Sequence, residues 1–129
     1  MQPDAARSSS LRVPASPDVL RLIRLFATSL GRHVDLHPEA VEDLKLALTE
    51  VCSAAIESSH RDDDVITVTV SWRPDRGGIA VAVSASSNFS TGDGTSDDRG
   101  RLLDALGIEL HPAEDGRGAT FEIATSPGP

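Results

Sequence analysis

Aromatic residues are nearly missing from this chain. Its 129 residues include three Phe, one Trp and no Tyr, so a core has to be assembled from Val, Ile, Leu and Ala. A single cysteine cannot close an intramolecular disulfide, and one thiol suits a reducing cytoplasm. No run of 18 apolar residues occurs, which excludes a membrane-spanning helix of that kind. The opening MQPDAARSSS carries an acid at Asp4 and no apolar stretch, and so reads against a secretory signal. Cations are scarce too: 12 Lys+Arg stand against 20 Asp+Glu, and 12 − 20 gives −8. That balance argues against direct binding to a nucleic-acid backbone, which needs clustered Lys and Arg. The length fits one domain, for which roughly two-thirds of the unfolded surface becomes buried. The expectation is an acidic cytoplasmic domain with no membrane and no nucleic-acid partner.

The polar start and the Pro/Gly-rich end TSPGP predict flexible tails over 1–10 and 125–129 around one domain over 11–124. Leu11 to Ala15 alternates and contains Pro14, which predicts a short edge strand. Ser16-Pro17-Asp18 has the chemistry of a helix start, and Gly31 stands where a C-cap belongs. Between them Val19, Leu20, Ile23, Phe26, Ala27 and Leu30 recur at helical spacing, while Arg21, Arg24 and Arg32 fall on the opposite face. A longer helix opens at His37-Pro38-Glu39. Its stripe of Val41, Leu44, Leu48, Val51 and Ala55, widened by Leu46, Ala47 and Ile56, predicts packing against a sheet.

Val65 to Trp72 is β-branched and alternating, Asp75 to Gly78 supplies a turn, and Ile79 to Ser84 returns as the second strand of a hairpin. Residues 86–98 read as a polar loop and Gly100 to Leu106 as a short helix stopped by Gly107. Strands are predicted over Ile108–Leu110 and Ala119–Ile123. This order predicts an α+β two-layer sandwich, a mixed and mainly antiparallel sheet covered on one face by helices.

The stretch from Val41 to Ile56, VEDLKLALTEVCSAAI, follows a line in which a helix carries "K-x-A-[LV]-[ST]-E-x-C-x-N-A". With the Pro-Ala strand end and the arginine of the first helix, it resembles the RsbW/UsfX-type anti-sigma factors. These belong to the GHKL (gyrase, histidine kinase, MutL) ATPase superfamily. The resemblance spans about residues 11–124 and is most specific in the second helix. It implies the histidine kinase-like ATPase fold and a role as an anti-sigma factor. Such a protein sequesters an alternative sigma factor, acts as a homodimer, and is released by a STAS-type antagonist. Arg24, with Arg21 a turn away, takes the place of the family's sigma-contacting arginine; the plain alternative is a solvated or salt-bridged side chain.

The same resemblance locates what is lost. In the active kinases, the glutamate of the second helix lies beside the triphosphate and an asparagine four residues on ligates magnesium. Glu50 is present here, but Ala54 occupies the asparagine position, and a methyl group offers no oxygen to a hard cation. The adenine-reading D-x-G-x-G becomes Ala85, Ser87 and Phe89, and the later glycine motif survives partly as Arg99-Gly100-Arg101-Leu102-Leu103. Gly118-Ala119-Thr120-Phe121 keeps the threonine that the family places near the base. Glu50, Gly100, Arg101 and Thr120 are thus a remnant ATP site, and no cofactor is expected unless that remnant still takes Mg-ATP. Glu50 reads either as an inactive relic of the catalytic base or as an ordinary helix glutamate.

The alternative is an ATP-dependent protein-serine kinase acting on a STAS-domain antagonist, with Glu50, Arg99 and Arg101 replacing the missing ligands. The Gly/Asp loop with Gly92, Asp93, Gly94, Asp97 and Asp98 has neither P-loop nor EF-hand spacing and reads as a shrunken ATP lid. His33 and His37 fall across a connector, no metal site is expected, and Cys52 beside the apolar stripe reads as a small core residue.

Overall fold

The computed structural model describes residues 7–73, 78–89 and 98–123. Strand β1 (Arg7–Pro14) leads through a short 3-10 turn at Pro17–Val19 into helix α1 (Leu20–His33), followed by α2 (Pro38–Glu57). Strands β2 (Val65–Trp72) and β3 (Ile79–Ala85) come next, then α3 (Asp98–Ala105), the two-residue β4 (His111–Pro112) and β5 (Gly118–Ile123). The sheet order is β1-β2-β3-β5-β4, and each neighbouring pair is antiparallel. The α+β sandwich is as the sequence predicts, with no parallel pairing among the described strands.

Alternation along the strands decides which face is covered. Ile66, Val68 and Val70 of β2, Ile79, Val81 and Val83 of β3, and Ala119, Phe121 and Ile123 of β5 are buried. Register aligns them in rows, Val70 opposite Val81 and Val81 opposite Phe121. Ile23, Ala27 and Leu30 of α1 and Leu44, Leu48, Val51 and Ala55 of α2 close over this face in one core. The other face carries Ser10, Thr69, Ala82 and Thr120. There a Ser10–Thr69 hydroxyl contact of 3.1 Å ties β1 to β2.

Several boundaries differ from the sequence reading, each for a local reason. β1 begins at Arg7, inside the segment read as tail, because Arg7 to Ser10 find partners in Trp72 to Thr69. Ser16 donates to the Asp18 carboxylate and does not cap a backbone N–H by its side chain. Gly31 lies within α1, not at its C-cap. A Cβ there would sit 2.6 Å from Val41 Cγ2, so the glycine lets the two helices approach. His37 caps α2, its Nδ1 accepting from the Glu39 N–H at 3.2 Å. Ile108–Leu110 is not a strand; β4 pairs one step later, through His111 and Pro112. Gly107 does end the third helix, at φ 74°, with the Ile108 N–H bonded back to the Leu103 carbonyl at 2.9 Å. Most of the turn before Gly78 and the loop with Gly92, Asp93, Gly94 and Asp97 lie outside the described residues.

Candidate functional site

Two surfaces bear on function: the region that the sequence resemblance assigns to a nucleotide, and the outer face of α1. In the first, Glu50 and Ala54 stand one turn apart on α2, Glu50 half-buried and engaged by a polar partner, Ala54 buried. Ala85 ends β3, its N–H donating to the Arg117 carbonyl at 2.8 Å, and Phe89 packs against the core with its N–H on the Gly116 carbonyl at 2.9 Å. Gly100 lies in α3, and Arg101 on the same helix is exposed and has a polar partner.

Thr120 is a correction. Its neighbours Ala119 and Phe121 are buried under the helices, so period-two alternation sends Thr120 to the opposite, open face of the sheet. It does not share a face with Glu50, and the inward position of that motif is taken by Ala119.

A charged group that the sequence reading passed over organises the end of β3. Asp64, 5% exposed, is the one buried charged residue among the described side chains. Its Oδ1 accepts from Ser87 Oγ at 2.7 Å and Ser86 Oγ at 3.0 Å. Its Oδ2 accepts from Ser59 Oγ at 2.9 Å and from the N–H groups of His60 and Arg61 at 3.1 Å each. The bond from Ser87 holds the carboxyl well below the usual carboxylate range. Ser59, Ser86 and the Arg61 N–H act in the same direction, against the opposing effect of burial. Ser86 Oγ also accepts from the Val65 N–H at 2.9 Å. The carboxylate thereby joins the C-terminal end of α2, the start of β2 and the segment after β3. In the Asp62-Asp63-Asp64 run nothing separates the third aspartate from the solvated first two; only the fold shows which one turns inward.

On α1, Arg21, Leu22, Arg24 and Leu25 are exposed, Leu22 to 46% and Leu25 to 58%. These leucines fall outside the packed stripe at 23, 27 and 30, so two large apolar side chains are left in water beside two arginines. Arg24 lies at the α1–α2 seam, Nε 3.4 Å from Thr49 Oγ1, and makes no salt bridge to Asp18. Leu46, 39% exposed, adds a third apolar side chain on α2.

Cys52 is buried in the core, and burial pushes its thiol up to about 12. Among the described residues no group of His, Cys, Asp and Glu is arranged to hold a metal ion, and no helix is long and apolar enough to cross a membrane.

A helix-covered antiparallel sheet with a glutamate-bearing second helix is the architecture of the histidine kinase-like ATPase domain. The sequence profile of that family matches residues 13–120, and the chain belongs to it. It is similar to the anti-sigma-F factor RsbW of Mycobacterium tuberculosis (strain ATCC 25618 / H37Rv), with 33% identity over 113 residues, 86% of this chain and 64% of that protein. It is also similar to the serine-protein kinase RsbW of Bacillus subtilis (strain 168), with 30% identity over 53 residues, 41% of this chain and 33% of the relative. The corresponding kinase of Bacillus mycoides (strain KBAB4) is 29% identical over 83 residues, 63% of this chain and 52% of the relative. The chain thus spans between 33% and 64% of these relatives.

Proposed function

We propose that this chain is an anti-sigma factor that sequesters an alternative sigma factor by direct binding, without kinase chemistry of its own. The observation that carries the reading is the outer face of α1, where exposed Leu22 and Leu25 stand beside Arg21 and Arg24. Exposed apolar side chains next to arginine suit a protein contact, because each of them gains by being desolvated against a partner with acidic and apolar groups.

Mg-ATP does not fit the residues present. Ala54 gives magnesium no oxygen, Ala85 gives the adenine amine no acceptor, and Ser87 is committed to Asp64. Glu50 and Arg101 alone do not make a nucleotide site, and the remnant reading of Gly100 adds only a helix-start glycine. Release therefore rests on competition from a STAS-type antagonist and on its level. Cys52, buried and with its thiol held protonated, gives redox release no handle.

The experiment is affinity capture of sigma factors and STAS-domain proteins by the purified chain, followed by titration calorimetry on the partner found. Arg24→Glu is expected to weaken the sigma complex at least about tenfold, by replacing attraction with like-charge contact, while the fold persists with the loss of one exposed hydrogen bond to Thr49. Failure to hold any sigma factor overturns the proposal, and so does an Arg24→Glu complex of undiminished affinity.

A further inference from the structure

At the end of the sheet away from Asp64, a groove opens between the last turns of α1 and the first residues of β1. Arg7 and Ser9 of β1, Phe26, Ser29 and Leu30 of α1, and Trp72 of β2 are among the residues that line it, and its volume is about 480 Å³. That size falls within the range of small-molecule sites. Register places Arg7 directly opposite Trp72, so both residues belong to the same face of the sheet and both line the groove. His33 meets Trp72 edge-on, with ring centroids 5.7 Å apart and planes at 78°, which fixes one aromatic wall. Phe26 and Trp72 are partly buried and pack on the core.

The electrostatics of the groove run against those of the chain as a whole. The protein carries −8 overall, yet no Asp or Glu appears among the described lining residues. Arg7 has no ion-pair partner among the described residues, and Ser9 and Ser29 belong to the same lining. An apolar floor with aromatic sides and, at one end, a guanidinium with no ion-pair partner among the described residues selects a flat apolar body carrying one anionic group. A carboxylate meets an arginine through two parallel N–H···O bonds, a geometry that a neutral group cannot copy.

We propose that this groove is a binding site for a small aromatic carboxylate. Its ring lies against Phe26, Leu30 and Trp72, and its carboxylate is held by Arg7 with help from the serine hydroxyls. The site is separate from the Glu50 region and from the Arg21–Leu25 face, and it stands whether or not the chain binds a sigma factor.

The test uses the full chain, whose lone tryptophan gives a single indole N–H signal in an NMR spectrum. Naphthoate is titrated against the labelled protein, with naphthalenemethanol as the uncharged match in shape. Naphthoate is expected to move the Trp72 signal saturably. The alcohol, and naphthoate on an Arg7→Glu variant, are expected to bind at least about tenfold more weakly, the scale of one charge-assisted contact. Ser29→Phe, which fills the mouth from an exposed helix position, is expected to abolish the shift while the rest of the spectrum stays native. An indole signal that does not move up to about 10 mM naphthoate, the weak end of specific binding, overturns the proposal. Equal binding of acid and alcohol, or binding indifferent to Arg7→Glu, overturns it as well.

Discussion

Ser87 donates a 2.7 Å hydrogen bond to Asp64, a residue 23 positions earlier in the chain. The resemblance read from the sequence sets Ser87 at the first glycine of the family's nucleotide motif; in the structure its hydroxyl is bonded to a buried carboxylate. The end of β3 and the end of α2 are consequently one structural unit, closed by an anion whose acceptor sites are filled by hydroxyl and amide donors.

Replacing Asp64 by Ala leaves the Ser59, Ser86 and Ser87 hydroxyls and two amides without their acceptor. A fall in Tm of roughly 5–10 °C is expected for a domain of this size, read by circular dichroism. The folded-state pKa is depressed below the ordinary value of 3.8, so the contribution is fully present above about pH 4 and fades as pH falls towards the folded value. The Tm gap between wild type and Asp64→Asn should therefore be constant from neutral pH to about pH 5 and narrow below pH 4. A gap that widens with acid would contradict the assignment.

Gly31→Ala places a methyl group 2.6 Å from Val41 Cγ2. Alanine gains up to about 1 kcal/mol of helix propensity over glycine, but overpacking a closed helix–helix seam costs about 1–3 kcal/mol. The clash wins, and chemical denaturation should show net destabilisation. Val41→Ala in the same chain should recover part of it, since the three atoms nearest the new methyl all belong to Val41.

Cys52 should resist thiol reagents in the native state. With the thiol pushed up to about 12, about one molecule in ten thousand is thiolate at pH 8, and the sulfur is buried as well. Labelling by a chromogenic disulfide reagent is expected to be slow and to track global unfolding, rising to one equivalent in denaturant. Rapid native labelling would reopen a redox route.

Mg-ATP at millimolar concentration should leave Tm unchanged, because a ligand stabilises a fold only in proportion to its binding. Differential scanning fluorimetry of wild type and Glu50→Ala should give superimposable curves with and without nucleotide. A shift in the wild type that Glu50→Ala removes would restore the kinase reading.

Much of the fold was legible because its signals are local. The alternation in Val65–Trp72 and Ile79–Ala85, the wide stripe of α2 and the Gly107 stop each depend on neighbours a few residues away, and each appears close to where the sequence puts it. The misreadings are long-range in origin. Gly31 resembles a C-cap by composition, but its reason is Val41 on the next helix. Thr120 matches a motif letter, but strand parity turns it to the open face. Arg7 to Ser10 look like tail until β2 offers them partners.

The sequence by itself determined the order of elements and the family, since those are matters of residue identity and periodicity. Tertiary structure alone decided that Asp64, out of three adjacent aspartates, is the buried anion, and that Leu22 and Leu25 are left exposed beside the arginines of α1. It also decided that Arg7 and Trp72 meet at the end of the sheet. Each of these depends on which groups from distant parts of the chain exclude water from one another, and no local pattern of residues encodes that.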